Sequence, residues 1–287
     1  MRTIELDALE IFRAVVAEGG VIKAAGKLHR VPSNVTTRIQ QLEGRLGHKL
    51  FHRQGRTLEL APAGRKLLPY AERLLRLAEE AENALRSEQP QGVFRLGALE
   101  STAGSRLAPL LARFHKLYPA VVVELVTGTT GALLKRVDAF EIEAAFVARP
   151  FSAPGLESIT AFEEELVLIT ARGMAPVRGP ADLADATLIA FAQGCSYRKV
   201  AEQWLGKGGV APSRSLEFAS YQAMIACVAA GTGFAVVPLS VLKALRATAD
   251  VRQHALPERI RRNRTQLVWH GTPSAALARL TGLMKAA

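Results

Sequence analysis

Residues 32–47, PSNVTTRIQQLEGRLG, sort two kinds of side chain onto two faces. Val35, Ile39, Leu42 and Leu46 recur at spacings of four, three and four, the repeat of a helix with one buried side. The other side carries Ser33, Thr36, Thr37, Arg38 and Gln41. Hydroxyls, an amide and a guanidinium set out this way have no covalent chemistry to do. They hydrogen-bond, and they suit base edges and phosphate oxygens. Pro32 fits a first helical position, where its missing N–H costs nothing, and Gly47 stops the helix. The candidate DNA contacts here are Pro32, Ser33, Asn34, Thr36, Thr37 and Arg38.

The elements that would position this face lie on either side of it. In LDALEIFRAVVAEG, Leu6, Leu9, Ile11, Phe12, Val15 and Val16 follow a helical repeat that Gly19 and Gly20 end. VIKAAGKL is a second, short helix whose Ala24, Ala25 and Gly26 permit close packing, and HRV is a turn. Two short helices joined tightly, the second with a polar face, predict a helix-turn-helix. KLFHRQGRTLELAP then predicts two strands around Gly55, a wing, with Arg53 and Arg56 beside the turn to meet backbone phosphates. From Lys23 to Lys66 there are ten basic residues against two acidic ones, Glu43 and Glu59, so the basic run coincides with helix, turn, helix and wing. Cations placed on phosphates release counterions and supply non-specific affinity. The whole chain carries a formal charge of +11, which also favours a polyanionic partner. GVIKAAGK imitates a phosphate-binding loop, but five residues separate Gly20 from Gly26 where that motif has four, and Leu28 stands where it needs Ser or Thr.

Residues 62–88 predict one long helix. Leu67, Ala71, Leu74, Ala78, Ala81 and Leu85 form a seam at alternating spacings of four and three; so short a seam could pack on the chain's own domain, but beside a DNA-binding head it is expected to pair two copies of the chain. A homodimer would present two recognition helices to a two-fold DNA site. MRTIELDALE has charges where a signal peptide needs an apolar run, and the apolar stretch GFAVVPLSVL is too short to span a membrane. Cys195 and Cys227 make neither a disulfide framework nor a zinc spacing, so a reducing cytoplasm is expected. The histidines are scattered, and no metal or cofactor is expected.

At this point the sequence resembles a family. The stretch from LEIFRAVVAEGG through VIKAAGKLHRVPSNVTTRIQQLEGRLGHKLFHRQGRTLELAPAGRKLLPYA looks like the N-terminal domain of LysR-type transcriptional regulators. The matching elements are L..F..V...G....AA..L, then V..RI..LE..LG..LF.R, then L...G..L...A, dense and in order over about seventy residues. There are departures. The family's usual Ser-Gln-Pro-Ala is Val31, Pro32, Ser33 and Asn34; its Ser-Arg pair is Thr36 and Thr37; its Thr before the linker helix is Ala61. The resemblance implies a mixed fold: an all-α winged helix-turn-helix (1–61), a linker helix (62–88) and a periplasmic-binding-protein-like effector domain of two α/β lobes (92–287). Lobe one is expected at 92–161 with 267–287, lobe two at 162–266. It further implies a homodimer assembling to a tetramer, a small effector in the cleft, and contact with promoter DNA and RNA polymerase.

The remaining residues alternate strand and helix patterns, which predicts parallel sheets covered by helices. Strands are expected in VFRLGAL, VVVELVTG, EAAFVA, EELVLIT, ATLIAFA, SLEFA, FAVVP and TQLVWH. In such sheets ligands sit beyond the carboxyl ends of strands, where helix N-termini offer N–H groups. Three places fit: Ser101 and Thr102 after the first strand, Thr129 after the second, and Ser196, Tyr197 and Arg198 in FAQGCSYRK. The last combines a hydroxyl, an aromatic and a cation, so an anionic, carboxylate-bearing effector is expected there. Cys195 beside Arg198 would sense oxidants only if its pKa were lowered. Arg259, Arg261, Arg262 and Arg264 read as a solvated loop, with a second DNA contact as the lesser reading. A solute-binding protein would need a signal peptide and no basic head. An enzyme would need a nucleophile elbow, zinc motif or dinucleotide fingerprint, and none is present. An architectural DNA-binding protein without effector control is the alternative to a ligand-responsive regulator.

Overall fold

The computed structural model describes residues 4–54, 57–86 and 89–285. The chain forms two compact units, Met1–Glu88 and Gln89–Ala287.

In the first unit, α1 (Leu6–Ala17), α2 (Val21–Lys27) and α3 (Pro32–Leu46) close around Leu9, Phe12, Ala25, Val35 and Leu42. The breaks fall where the backbone turns left-handed: Gly19 after α1 and Gly47, the cap of α3. His29, at φ 53°, makes the turn between α2 and α3. β1 (Phe51–Gln54) and β2 (Thr57–Leu60) pair antiparallel as the wing, Phe51 opposite Leu60. Glu43, an ordinary surface acid in the sequence-based count, is buried. It accepts from the N–H groups of Leu50 at 2.8 Å and Phe51 at 3.3 Å and from Lys49 Nζ at 2.7 Å, clasping α3 to the wing.

α4 (Pro62–Arg86) starts against the wing. A Cβ at Gly64 would overlap the Leu50 carbonyl oxygen and lie 2.6 Å from Leu60 Cδ1, so only glycine fits. The predicted seam divides. Leu67 and Ala71 pack on the unit's own core, while the exposed stripe is Tyr70 (64 %), Leu74 (40 %) and Leu77 (58 %), continued by Ala81. A helix leaving a small core must cover it before it can offer a face elsewhere, and this turns the free stripe away from the Leu67–Ala71 line. The side chain of Leu85 lies outside the described residues.

The second unit begins with β3 (Gly92–Ala98), α5 (Glu100–Thr102), a π turn (Ala103–Leu107) and α6 (Ala108–Leu117). Then come β4 (Val121–Thr127), α7 (Thr130–Asp138), β5 (Ala144–Ala148) and β6 (Leu156–Ala171). A 3₁₀ turn (Pro180–Leu183) precedes β7 (Thr187–Phe191), α8 (Ser196–Lys207), β8 (Arg214–Phe218) and α9 (Tyr221–Ala229). β9 (Ala235–Pro238), α10 (Leu239–Ala244), β10 (Val251–Ala255), α11 (Glu258–Arg261), β11 (Arg262–His270) and α12 (Ala275–Lys285) complete it.

The sheets are mixed rather than wholly parallel. β3 pairs parallel with β4 and β5, and β7 with β8, but β6, β9, β10 and β11 pair antiparallel. The exception is built by β6, expected as a short strand but extending over 16 residues. Leu156–Glu165 pairs with β11, and Leu166–Ala171 pairs with β9 and β10, so one strand serves two sheets. Its first half is polar and only partly buried, which is why the sequence signal begins late. β7 and β8 join the second sheet through a bridge between Leu188 and Phe234.

Candidate DNA-recognition helix and interlobe cleft

On α3 the buried row is Val35, Ile39 and Leu42, and Pro32, Ser33, Asn34 and Thr37 are exposed. Thr36 is half-buried and its hydroxyl donates to the Pro32 carbonyl at 3.0 Å, so part of its capacity is used within the helix. Arg38 is half-buried beside acids of the α1 end, 3.8 Å from Glu5 and from Asp7. Those acids also hold Arg45, through Glu5, and Arg30, through Asp7 at 2.5 Å. Lys27 pairs with Glu18 at 2.8 Å. The basic excess counted from Lys23 to Lys66 is thus partly compensated by α1, which lay outside that window. Arg53 lies on β1, its side chain outside the described residues, as is Arg56 altogether.

The second unit brings the ends of β3, β4 and β5 towards the start of α8. Ser101, Thr129, Ser196 and Tyr197 line one cleft, with Glu100, Gly128, Phe191, Cys195 and Tyr221. The cleft is shut. Its cavity is about 10 Å3, room for about one water-sized sphere. The Gly131 N–H donates across it to the Gly194 carbonyl at 3.1 Å, and Gly194 sits at φ +92°. Thr129 caps α7, accepting from the Ala132 N–H at 3.3 Å, and the Ser196 hydroxyl donates to the Pro150 carbonyl at 3.4 Å. Ser101 Oγ, Tyr197 Oη and Thr265 Oγ1 are buried without a hydrogen bond of good geometry, although Ser101 and Thr265 stand close enough to Tyr197 to favour its ionised form slightly. Burial, and then the charge of Glu164, outweigh that and push the Tyr197 phenol up, so it stays neutral.

Burial likewise pushes the Glu100 carboxyl up, against a pull down from the Tyr221 N–H that bonds to it. Burial also raises the Cys195 thiol, outweighing the N–H groups of Arg198 and Tyr197, which is the opposite of an activated cysteine. Among the described residues no group of His, Cys, Asp or Glu has the arrangement of a metal site, and no helix is long and apolar enough to cross a membrane.

Family comparison matches residues 6–65 to the bacterial regulatory helix-turn-helix protein, lysR family, and residues 87–287 to the LysR substrate binding domain. The chain belongs to the LysR family of transcriptional regulators. Among its relatives, the uncharacterized HTH-type transcriptional regulator YusT of Bacillus subtilis (strain 168) is 37 % identical over 92 % of this chain and 89 % of its own. The HTH-type transcriptional regulator GltR of the same organism is 35 % identical over 89 % of this chain and 87 % of its own. A full-length OxyR variant from Pseudomonas aeruginosa shares the fold at TM-score 0.76 and 18 % identity, covering 100 % of this chain and 95 % of that one. Full-length CbnR complexed with its target DNA shares it at TM-score 0.68 and 24 % identity, covering 99 % of each chain.

Within this LysR-type regulator, two residues expected at the cleft stand back from it. Thr102 is buried behind the wall. Arg198 has a side chain only 8 % exposed, and its guanidinium is taken up by Glu202 at 2.7 Å, Glu217 at 2.5 Å and the Phe191 carbonyl at 3.2 Å. Glu100, Phe191 and Tyr221 line the cleft without being among the residues expected there. Glu100 follows the same strand as Ser101 and was open to the same rule, but Tyr221 reaches the cleft from a different helix with no local signal. The arginine cluster is solvated, on α11 and β11 rather than on a loop, and three of its members pair with acids: Arg261 faces Glu165 at 3.8 Å, Arg262 Glu258 at 2.9 Å and Arg264 Glu163 at 2.9 Å.

Proposed function

We propose that this LysR-type regulator binds promoter DNA sequence-specifically and that a small effector in the interlobe cleft sets its activity. The observation that carries the DNA half is the exposed polar start of α3, held rigid by its buried row. Ser33, Asn34 and Thr37 reach base edges, Pro32 sets the helix start, and Thr36 and Arg38 support them, while Arg53 and Arg56 meet phosphates from the wing. Tyr70, Leu74, Leu77 and Ala81 of α4 pair with a second copy, and dimers assemble further to a tetramer that contacts RNA polymerase in the cytoplasm. The working division is a DNA-binding head at 1–61, a linker helix at 62–88 and an effector domain at 92–287, with lobes at 92–161 plus 267–287 and at 162–266.

The effector is read by Ser101, Thr129, Ser196 and Tyr197. A carboxylate there is held by the N–H groups opening α7 and α8, while Arg198 and Thr102 position the wall. Because the cleft is shut, an effector must favour a more open arrangement of the lobes, or it shifts nothing.

Protection mapping on the DNA upstream of the protein's own gene and the adjacent divergent gene tests this reading. A discrete two-fold footprint that changes with effector is expected. Weak, uniform protection that vanishes with salt, there and genome-wide, would instead favour an architectural DNA-binding protein.

A further inference from the structure

A second cavity, of about 990 Å3, lies beside the crossing of β6 and β11, apart from the cleft. Its size matches small-molecule sites, which run to about 1,000 Å3. One wall is the face of α8 that bears Val200, Trp204 and Lys207. Ile260 and Arg259 come from α11, Arg149 stands just past β5, and the charged residues of the strand crossing close the lining.

The charges here do not cancel. Glu163 is held by Arg264 at 2.9 Å, Glu164 by Arg106 at 2.8 Å and Glu165 by Arg261 at 3.8 Å. Arg149, Lys207 and Arg259 are left without a carboxylate partner among the described residues. Cations gathered around one concavity repel each other and concentrate anions. Between them Val200 and Ile260 give an apolar floor into which Trp204 is set, only 8 % exposed, and an arginine or lysine beside a ring suits a flat ligand.

We propose that this groove binds a small, multiply charged anion that carries a flat ring. Its charges lie among Arg149, Lys207 and Arg259, and its ring lies against Trp204 and Ile260. The site goes beyond the cleft reading and does not depend on it. α8 follows the second sheet and Arg149 follows β5 of the first, so an occupant ties the two lobes together and its binding is linked to their angle.

The chain has two tryptophans, Trp204 and Trp269, and the DNA-binding head has none. In full-length Trp269→Phe protein, Trp204 is therefore the single indole reporter. ATP in magnesium-free buffer is the probe, since it joins a flat ring to several charges. ATP is expected to quench Trp204 saturably, inorganic triphosphate to compete, and adenosine alone to do neither. Adding Arg149→Gln, Lys207→Gln and Arg259→Gln is expected to weaken the midpoint at least tenfold. No saturable quenching, an unchanged midpoint in the triple variant, adenosine acting as well as ATP, or a DNA duplex that ATP cannot displace from the groove would each overturn the proposal. If Trp269→Phe does not fold, the wild-type protein serves, because of the two indoles only Trp204 lines the groove.

Discussion

Glu100 and Arg198 are charged side chains whose behaviour depends on partners far along the chain. Glu100 has a folded pKa above the ordinary 4.5, so the closed cleft binds its proton more tightly than the unfolded chain does. The stability this gives is full below the unfolded pKa and is lost as pH rises through the folded one. Glu100→Gln stays neutral and is expected to lose that dependence. Urea unfolding of the effector domain, followed by tryptophan emission from just below the ordinary glutamate pKa up to neutrality, checks it. The wild type should lose stability relative to the variant as pH rises, and parallel profiles would contradict the assignment. Arg198 shows the limit of local patterns. Its place near a helix start was legible, but its direction was not, because Glu217 on β8 turns it away from the cleft.

The elements of the DNA-binding head were the most legible, since each follows a short-range rule: a period of buried residues, a glycine stop, a proline start. What periodicity leaves out is contact between elements. The Glu43 clasp and the turned stripe on α4 both depend on which surface a neighbour occupies first. Gly64 belongs here too. The Leu50 carbonyl that a Cβ would strike is already held by the Ala61 N–H at 2.8 Å, so it cannot swing clear. Gly64→Ala is expected to cost the head about 2 kcal/mol or more, the scale of overpacking. Hydrogen exchange of the buried α1 and α3 amides in the full chain should quicken by about tenfold or more. Unchanged exchange would mean that α4 shifts to absorb the methyl group. In the effector domain, β10 and the first half of β6 escaped notice because half-buried polar strands carry little hydrophobic signal.

At the scale of the whole effector domain, strand alternation revealed an α/β fold and the carboxyl ends of strands led to four of the cleft residues. The crossing strands could not be read in the same way, because their pairing joins segments about a hundred residues apart. That crossing also describes how the domain is assembled. Glu165 and Arg262 are partners across two antiparallel strands, so their Cα atoms are about 5 Å apart. Everything between them leaves the first sheet at Glu165 and re-enters it at Arg262, as a guest leaves and re-enters its host by one doorway. A two-residue hairpin spans that gap. A chain with 166–261 replaced by Asn-Gly is expected to keep the β4-β3-β5-β11-β6 sheet as a smaller soluble domain, and loss of its strand signal by circular dichroism would refute this. The part of lobe two between the crossing points would then be an insertion that an ancestral one-lobed sheet could acquire or shed without re-threading its own strands.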